Sequence, residues 1–418
     1  MTDELQQPKR KNPVKRTRQP VLPPQGRSRV ALGLTAAASR GSFELQHCED
    51  CGFVLYPPRE MCAGCLSSNL RWKPLDGKAE LLAETLLLHS HDVYFRGHLP
   101  WRLGLVRLAA GPSAVVHLHG DVASPNPNSD KRVRVQTRLD KAGRGVLVAV
   151  PEKEVPHMSD DAQLREMSAD PKLRRALVTD GKSPVGQAMA RALVDAGATR
   201  VWVGIAEPWK KVDGFDALAD LPEVTVVPLD VTEERSVREQ ARSLGGRIDI
   251  LINTSQIHRT ETVSSRLGVD VARMEMDVNY FGLLRLAQEF GAAMKGRGAD
   301  GINSAVAWVN ILSVFALSNY PQHGTYSASQ AAAHSLSQAM RADFRGSTVR
   351  VLNAYPGPID EEWNQLIPPP KVAPERLARD VINALRQGLE DIYPGDVAQE
   401  YLERYMENPK ILELELTQ

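Results

Sequence analysis

The sequence has no net charge and no long apolar run, and these two absences narrow what the chain can be. Its 51 lysines and arginines balance its 51 aspartates and glutamates, so its overall charge gives no reason to expect nucleic acid as the main partner. No apolar stretch reaches the roughly 18 residues of a transmembrane helix. The N-terminus lacks the apolar core of a secretory signal. We therefore expect a cytoplasmic protein without a membrane partner.

Cysteine is scarce, and all four copies lie in one short stretch. Cys48, Cys51, Cys62 and Cys65 form two C-x-x-C turns with ten residues between them. Each turn aims two sulfurs at one point, so together they supply four thiolates for a tetrahedral metal. In a cytoplasmic chain this spacing favours a metal over disulfides. Because protein fills all four positions, we predict a structural zinc site, with iron in the same cage as the alternative.

The first 28 residues are basic and rich in proline. Such a composition cannot bury enough apolar surface to offset the entropy of the chain. We predict a disordered basic tail over 1–28, and the alternative is an arm that contacts an acidic partner or nucleic acid.

Five stretches with a strand-like pattern follow the cysteines: AELLAETLLLH, WRLGLVRLAA, SAVVHLHGDV, KRVRVQTRLD and GVLVAVP. Glycine, proline and asparagine turns separate them, which predicts a small antiparallel barrel of the OB-fold type. Residues 29–150 are thus assigned to a zinc ribbon and an OB-fold. Few aromatic residues pair with basic residues on one strand face, which disfavours the alternative of a nucleic-acid-binding barrel.

The pattern changes after residue 150. Residues 151–174 are charged and begin with a proline, which predicts a linker that holds one short helix. Over residues 175–418, buried β-branched runs alternate with amphipathic helices, a pattern typical of a doubly wound parallel sheet. The predicted fold class is multidomain: a zinc ribbon with a small β-barrel, followed by an α/β doubly wound sheet of the Rossmann type.

Two further motifs accompany the cysteines in the first domain. They are G-x-x-E-L-L-A-E-T at the entry of the barrel and VYFRGHLPWRLGLVRL. Together these features resemble the small zinc-ribbon/OB-fold proteins, associated with acyl-CoA, that partner thiolase-like and aldolase-like enzymes. The resemblance implies that this domain binds an acyl-CoA-type molecule or completes the active site of a partner. His98, between Tyr94 and Trp101, is the candidate ligand contact.

A glycine-containing turn, TDGKSPVGQA, follows the first predicted strand of the second domain. With the motifs described next, it resembles the short-chain dehydrogenase/reductase family, whose turn reads T-G-x-x-x-G-x-G. Thr179 and Gly186 match the first and last positions, whereas Asp180 and Pro184 replace the first two glycines and Gly181 lies one place late. Proline lacks an N–H donor and aspartate adds negative charge, so we expect weakened binding of NAD or NADP.

The resemblance implies further cofactor contacts, which the sequence matches in part. Asp230 in LDVT stands at the adenine position, and Asn253 is the one match in NTSQ to the family's N-N-A-G turn. Pro356 and Gly357 in YPGP match the loop that passes under the nicotinamide. The second strand lacks the terminal aspartate of NAD enzymes, and Lys182 is a candidate for the 2′-phosphate of NADP. The identity of the cofactor therefore stays open.

The catalytic set that the resemblance implies is complete except for its lysine. Asn279 would hold a proton-relay water, Ser313 would orient a carbonyl, and Tyr326 would act as the general acid or base. Gln330 occupies the lysine position. A lysine about 4 Å from the phenol would contribute roughly 4 kcal/mol, or about three pKa units, so Tyr326 is predicted to stay protonated at neutral pH. His323 is a candidate for partial compensation.

The altered glycine turn, the NTSQ turn and the missing lysine together indicate a dehydrogenase fold impaired in hydride transfer. We expect a fused subunit of an acyl-CoA-transforming complex, and the alternative is an active NAD(P)-dependent oxidoreductase for a hydroxyacyl- or oxoacyl-CoA. The stretch YSASQAAAHSLSQAMRADF is rich in small residues, and the corresponding helix pairs between copies in the resembled family. This predicts a homo-oligomer, or a hetero-oligomer with a thiolase-like, aldolase-like or active dehydrogenase subunit.

Overall fold

The computed structural model contains two compact units, built mainly on 21–170 and on 171–418. It describes residues 20–24, 26, 28–125, 130–153, 155–260, 262–265, 267–299 and 304–417. Most of the predicted basic tail, 1–28, lies outside the described residues. Within the described ranges, no helix is long and apolar enough to cross a membrane.

A helix that the sequence pattern does not predict opens the first unit. After a 3-10 turn at Arg29–Ala31, α1 (Leu32–Ser39) places Leu34 in the core of the barrel. At Gly145, a Cβ atom would lie 2.7 Å from the carbonyl oxygen of Leu34. Glycine at this position therefore allows the helix to pack directly on a strand.

The zinc ribbon is a three-stranded antiparallel sheet with the order β2-β1-β3. Its strands are β1 (Glu44–Cys48), β2 (Val54–Leu55) and β3 (Leu70–Pro74). Its own buried cluster contains Cys48, Leu55 and Cys62, with Leu70 packed against them, whereas Leu45 of β1 packs in the barrel core. A cluster of this size is by itself too small to stabilise a ribbon without a further crosslink.

The predicted five-stranded barrel is confirmed, and it is closed. Its strands are β4 (Lys78–Leu87), β5 (Trp101–Leu108), β6 (Ser113–Leu118), β7 (Arg132–Leu139) and β8 (Gly145–Pro151). The order is β4-β5-β6-β8-β7. All neighbours are antiparallel except the pair β6 and β8. Alternate side chains point inward, so Leu81, Val106 and Val135 meet in the core.

Two short helices cover one side of the barrel. They are α2 (Val93–Arg96) and α3 (Ala162–Glu166), and α3 is the short helix within the predicted linker. Leu164 and Met167 pack with Trp101 and Val146 in a second apolar cluster. This part of the predicted linker is therefore packed within the first unit.

The predicted doubly wound parallel sheet is confirmed in the second unit. Seven parallel strands have the order β11-β10-β9-β12-β13-β14-β15. They are β9 (Arg175–Val178), β10 (Arg200–Ile205), β11 (Val224–Pro228), β12 (Ile250–Asn253), β13 (Ala307–Ile311), β14 (Arg350–Ala354) and β15 (Asp391–Ile392). The order reverses between β9 and β12, and ligands of such folds bind outside the carboxyl ends of strands at this switch point.

Nine helices are described in the second unit. They are α4 (Pro184–Asp195), α5 (Phe215–Ala219), α6 (Glu234–Leu244), α7 (Asp270–Met276), α8 (Leu283–Gly296), α9 (Gly324–Asp343), α10 (Pro374–Gln387), α11 (Asp396–Glu407) and α12 (Pro409–Glu415). A π-helical turn, Asp277–Gly282, joins α7 to α8. Fully buried Trp308 and Phe290 anchor the core between sheet and helices. The long helix α9 buries small polar residues, which lets it lie close to the sheet.

Candidate functional site

The four cysteines converge on one point. Their sulfur atoms all lie within 4.8 Å of one another, and the pairs Cys48–Cys65 and Cys51–Cys62 are each separated by 3.5 Å. A disulfide would require about 2.05 Å, whereas four ligands at about 2.3 Å around zinc lie roughly 3.8 Å apart. The cysteines therefore fit a structural zinc ion, whose four coordination positions they would fill.

His98, the candidate ligand contact of the first unit, has both ring nitrogens engaged. Nδ1 lies 2.7 Å from the carbonyl oxygen of Tyr94, and Nε2 lies 3.1 Å from a carboxylate oxygen of Glu166. The same carboxylate pairs with Lys141, and its hydrogen bond to the imidazole raises the pKa of His98. His98 thus fastens α3 to α2 and offers no free nitrogen to a ligand in this arrangement.

Two predicted cofactor residues meet at the switch point of the sheet. The Thr179 hydroxyl, directly after β9, donates to Oδ1 of Asn253 at the end of β12 over 2.9 Å. Thr254 strengthens the link, because its N–H donates to the Thr179 hydroxyl and its own hydroxyl accepts from the N–H of Asp180. These contacts fix the start of the glycine turn to the neighbouring strand.

Both predicted glycines of the turn are required by close packing. A Cβ atom at Gly181 would lie 1.7 Å from Cγ1 of Val203, and one at Gly186 would lie 1.7 Å from the carbonyl oxygen of Asp180. The packing of the turn therefore requires glycine at both positions, whether or not a dinucleotide binds.

The side chain of Asp180 closes the first part of the turn. Its Oδ1 accepts the N–H groups of Lys182 and Ser183 at 3.1 and 3.4 Å. The N–H of Gly181 donates to the carbonyl oxygen of Gly204 at 2.8 Å. Burial raises the pKa of the Asp180 carboxyl. The N–H groups that could face a pyrophosphate here are thus already paired within the chain.

The N-terminus of α4, which is described in full, likewise has no free backbone N–H group. Pro184, its first residue, has no N–H. The N–H of Val185 donates to Oε1 of Glu361 at 3.4 Å, and the N–H of Gly186 donates to the hydroxyl of Ser183 at 3.0 Å. Since no backbone donor of this fully described turn is left for phosphate oxygens, the residues present do not fit a dinucleotide in this arrangement.

The other predicted cofactor contacts are also engaged locally. The Lys182 ammonium binds backbone carbonyls, including that of Pro208 at 3.2 Å, rather than pointing free toward a 2′-phosphate. Oδ1 of Asp230 accepts the hydroxyl of Thr232 at 2.7 Å. Pro356 accepts a backbone hydrogen bond at 3.0 Å. Gly357 is buried, and a Cβ atom there would lie 3.1 Å from Val397.

Tyr326 and Ser313 meet as the sequence spacing predicts. The Tyr326 phenol is buried and donates a hydrogen bond to Oε1 of Gln256 at 3.1 Å. Burial raises the pKa of Tyr326, an effect that a hydrogen bond from Ser313 opposes only in part. Gln330, one helical turn later, is buried, and its Oε1 has no hydrogen-bond partner among the described residues. The position of the family's lysine therefore carries no charge that would make the phenol acidic.

Asn279 holds two parts of the site together. It lies in the π-helical turn, a local distortion that is frequent at functional sites. Its amide accepts the N–H of Ile257 at 3.0 Å and donates to the carbonyl of Ile257 and to the hydroxyl of Ser329, both at 2.8 Å. Ser329 in turn donates to the carbonyl of Tyr326 at 2.7 Å. The Asn279 side chain thus joins the loop after β12 to α9.

Two histidines border Tyr326, and sequence reasoning missed one of them. The ring centres of His258 and His323 lie 4.6 and 6.1 Å from that of Tyr326. Burial lowers the pKa of His258 to about 3 and that of His323 to about 4. Both rings are neutral near pH 7, so His323 does not replace the missing charge. The sequence could have indicated His258 as a site residue, because it lies shortly after the carboxyl end of β12, where ligands of this fold bind.

Comparisons with known proteins agree with both halves of this description. Residues 174–370 match the family model for short chain dehydrogenases. A short chain dehydrogenase from Burkholderia cenocepacia, solved in complex with NADP, is 32% identical, covers 60% of this chain and 99% of its own, and superposes with a TM-score of 0.54. Through its second unit, the chain belongs to the short-chain dehydrogenase family. A farnesol dehydrogenase from Aedes aegypti is 29% identical over 45% of this chain and 78% of its own length.

The first unit matches a separate family model. Residues 35–71 match the rubredoxin-like zinc ribbon domain of ChsH2, so the predicted resemblance of the ribbon is confirmed. An uncharacterized oxidoreductase from Staphylococcus aureus, 28% identical over 51% of this chain and 90% of its own, is a further relative of the chain. The protein is thus a short-chain dehydrogenase domain fused to a ChsH2-like zinc ribbon.

Proposed function

We propose that the dehydrogenase unit of this cytoplasmic protein is impaired in hydride transfer. The observation that carries the proposal is the environment of Tyr326, whose phenol is buried, donates to Gln256 and has Gln330 where a cation would stand. A general acid or base works best when its pKa lies near the working pH, and burial moves the pKa of Tyr326 the other way. The phenol is then a poor base for oxidation and a weak acid for reduction.

We infer that the first unit supplies the binding function, as a module for an acyl-CoA-type molecule or for a thiolase-like or aldolase-like partner. Support comes from a cavity of about 360 Å³ between α1, the ribbon and the barrel, within the range of roughly 300–1,000 Å³ typical of ligand sites. Its wall combines polar and apolar surface, and the apolar part includes Leu34, Tyr56, Leu103, Val116 and Leu147. An acyl chain is the kind of group that this apolar part would bury.

The hydride-transfer proposal is tested by single-turnover reduction of an oxoacyl-CoA with NADPH or NADH. We expect the wild-type protein to react no faster than Tyr326→Phe, because the phenol contributes no effective proton. The control is Tyr320→Phe, a nearby tyrosine whose ring stacks on Phe315. A loss of about 100-fold or more in Tyr326→Phe alone, the usual effect of a general acid, would refute the proposal.

The second candidate is an active NAD(P)-dependent oxidoreductase for a hydroxyacyl- or oxoacyl-CoA. It is favoured by the meeting of Ser313 with Tyr326 and by the 32% identity to a relative solved with NADP.

For the partner, we propose either a second copy of this chain or a thiolase-like, aldolase-like or dehydrogenase subunit. Sedimentation of the purified chain, alone and after co-purification from its source, separates these possibilities.

A further inference from the structure

The glycine turn of the second unit is already closed by carboxylates of the chain itself. In dinucleotide-binding folds this turn and the following helix N-terminus present free N–H groups to a pyrophosphate. We propose that the Glu361 carboxylate occupies the place of that phosphate, so that a dinucleotide binds only when Glu361 leaves the N-terminus of α4. This inference concerns cofactor binding, and it goes beyond the proposed loss of hydride transfer.

No backbone N–H group at the start of α4, where every residue is described, is free to bind a phosphate. Pro184 has no N–H, and the N–H of Gly186 is taken by the hydroxyl of its own helix cap, Ser183. The N–H of Val185 is the remaining donor of the first three, and Glu361 accepts it at 3.4 Å. This N–H lies at the positive end of the dipole of a twelve-residue helix. A carboxylate placed there imitates an anionic ligand.

Negative charge adds to this obstruction. The Asp180 carboxylate, which holds the N–H groups of Lys182 and Ser183, lies close enough to act on Glu361. A pyrophosphate in the turn would therefore meet two carboxylates, and like charges repel more in a partly buried site than in water. Both the contact of Glu361 and the charge of Asp180 thus distinguish this turn from one that can bind an anion.

Protonation of Glu361 offers a way to open the turn. Burial, and after it the charge of Asp180, raise the pKa of Glu361 to about 7. The other groups recorded around this pair are the neutral phenol of Tyr326 on α9 and Lys210, which acts on Asp180. Below pH 7 Glu361 is mostly neutral and holds the N–H of Val185 less strongly. Dinucleotide affinity should therefore rise as the pH falls from about 8 to about 6.

The test is a calorimetric titration of the full-length chain with NAD⁺ at pH 6, 7 and 8. NAD⁺ is the suitable probe because it lacks the 2′-phosphate of NADP, which itself titrates near pH 6. The variants are Glu361→Gln, Glu361→Ala and the matched control Glu362→Gln, which removes an exposed carboxylate from the same loop. Melting temperatures of all four proteins show whether they are folded.

We expect wild type and Glu362→Gln to bind about tenfold more weakly at pH 8 than at pH 6. Glu361→Gln and Glu361→Ala should bind at least about tenfold more tightly than wild type at pH 8, with little dependence on pH. Equal affinities of wild type and folded Glu361 variants at pH 8, including no binding by either, would overturn the inference. A Glu361 variant that binds NAD⁺ without hydride transfer supports both proposals, whereas one that binds and turns over refutes only the proposed function.

Discussion

A positive charge one helical turn after Tyr326 is what the candidate catalytic site lacks. Gln330 is buried and its Oε1 has no hydrogen-bond partner among the described residues. We expect Gln330→Lys to lower the pKa of Tyr326 by about three units, since an ammonium about 4 Å away stabilises the phenolate by roughly 4 kcal/mol. The measurement is the tyrosinate absorbance during a pH titration, relative to the double variant with Tyr326→Phe.

The control for this prediction is Gln330→Met, which keeps the length of the side chain and adds no charge. We expect its titration to match that of wild type. If Gln330→Lys and Gln330→Met titrate alike, the position does not control the phenol, and the missing lysine cannot explain a loss of activity.

The buried histidines beside Tyr326 make stability depend on pH. In the folded chain the pKa values of His258 and His323 are about 3 and about 4, whereas an unfolded histidine titrates near 6.5. The unfolded state therefore binds more protons below pH 6.5, and the second unit loses stability as the pH falls from about 6.5 toward 4. At pH 5 each histidine costs about 2 kcal/mol.

We therefore expect His323→Phe to reduce the difference in unfolding free energy between pH 7.5 and pH 5 by about 2 kcal/mol. Phenylalanine suits the position, because neither ring nitrogen of His323 has a hydrogen-bond partner in the part of the chain described. Urea unfolding of the second unit at both pH values provides the measurement. The exposed His89→Gln serves as the control, and an unchanged pH difference in His323→Phe would contradict the assignment.

The sequence predicts the meeting of Tyr326 with Ser313 but not the presence of Gln256, His258 and Glu361 in the site. Tyr326 and Ser313 follow a spacing that the family resemblance makes readable. Gln256 and His258 lie in the loop after β12 and Glu361 follows β14, and the two loops converge only because parallel strands end at the same edge of the sheet. Their partners are determined by the packing of those loops, which no local pattern encodes.

At the scale of secondary-structure elements, the helix cap at the N-terminus of α4 contributes to stability in a way that can be tested. The hydroxyl of Ser183 accepts the N–H of Gly186 at 3.0 Å, and Ser183 has the extended backbone of a cap residue. We expect Ser183→Ala to destabilise the second unit by about 1 kcal/mol and Ser183→Thr to cost much less, since threonine can cap a helix. Urea unfolding of the three proteins measures the difference. Equal losses for both variants would show that packing, not capping, determines the effect.

Elements with a strict side-chain period are the ones that the sequence predicts. The alternation of buried and exposed residues along β7 follows the alternation of apolar and polar residues in its sequence. In contrast, α1 is a short alanine-rich helix whose place is determined by contact with β8, including the close approach at Gly145. Likewise, the packing of α3 depends on Leu164 and Met167 reaching an apolar cluster on the barrel. The positions of both helices are therefore determined by contacts with residues distant in sequence.

At the scale of the whole molecule, the fold class follows from composition and pattern, but the pairing of strands does not. The cysteine spacing predicts the zinc ribbon, and the two kinds of period predict a barrel followed by a parallel sheet. The parallel pairing of β6 with β8 closes the barrel, although β7 lies between them in sequence. Such non-local pairing depends on the closure of the whole sheet, which a single sequence does not reveal.

The ribbon should depend on its metal, whereas the parallel sheet has a large core of its own. The ribbon's own buried cluster contains Cys48, Leu55 and Cys62, whereas Leu45 packs in the barrel core, and small domains with so little core of their own depend on a metal to fold. We expect one zinc per chain, lost in Cys62→Ser and retained in Met61→Ser, an exposed neighbour. After chelation, amide hydrogen exchange should rise across 44–74 and stay unchanged in strands β9 to β14. Protection that persists in 44–74 without metal would mean that the ribbon is held by its packing on the barrel, because no other crosslink joins its strands among the described residues.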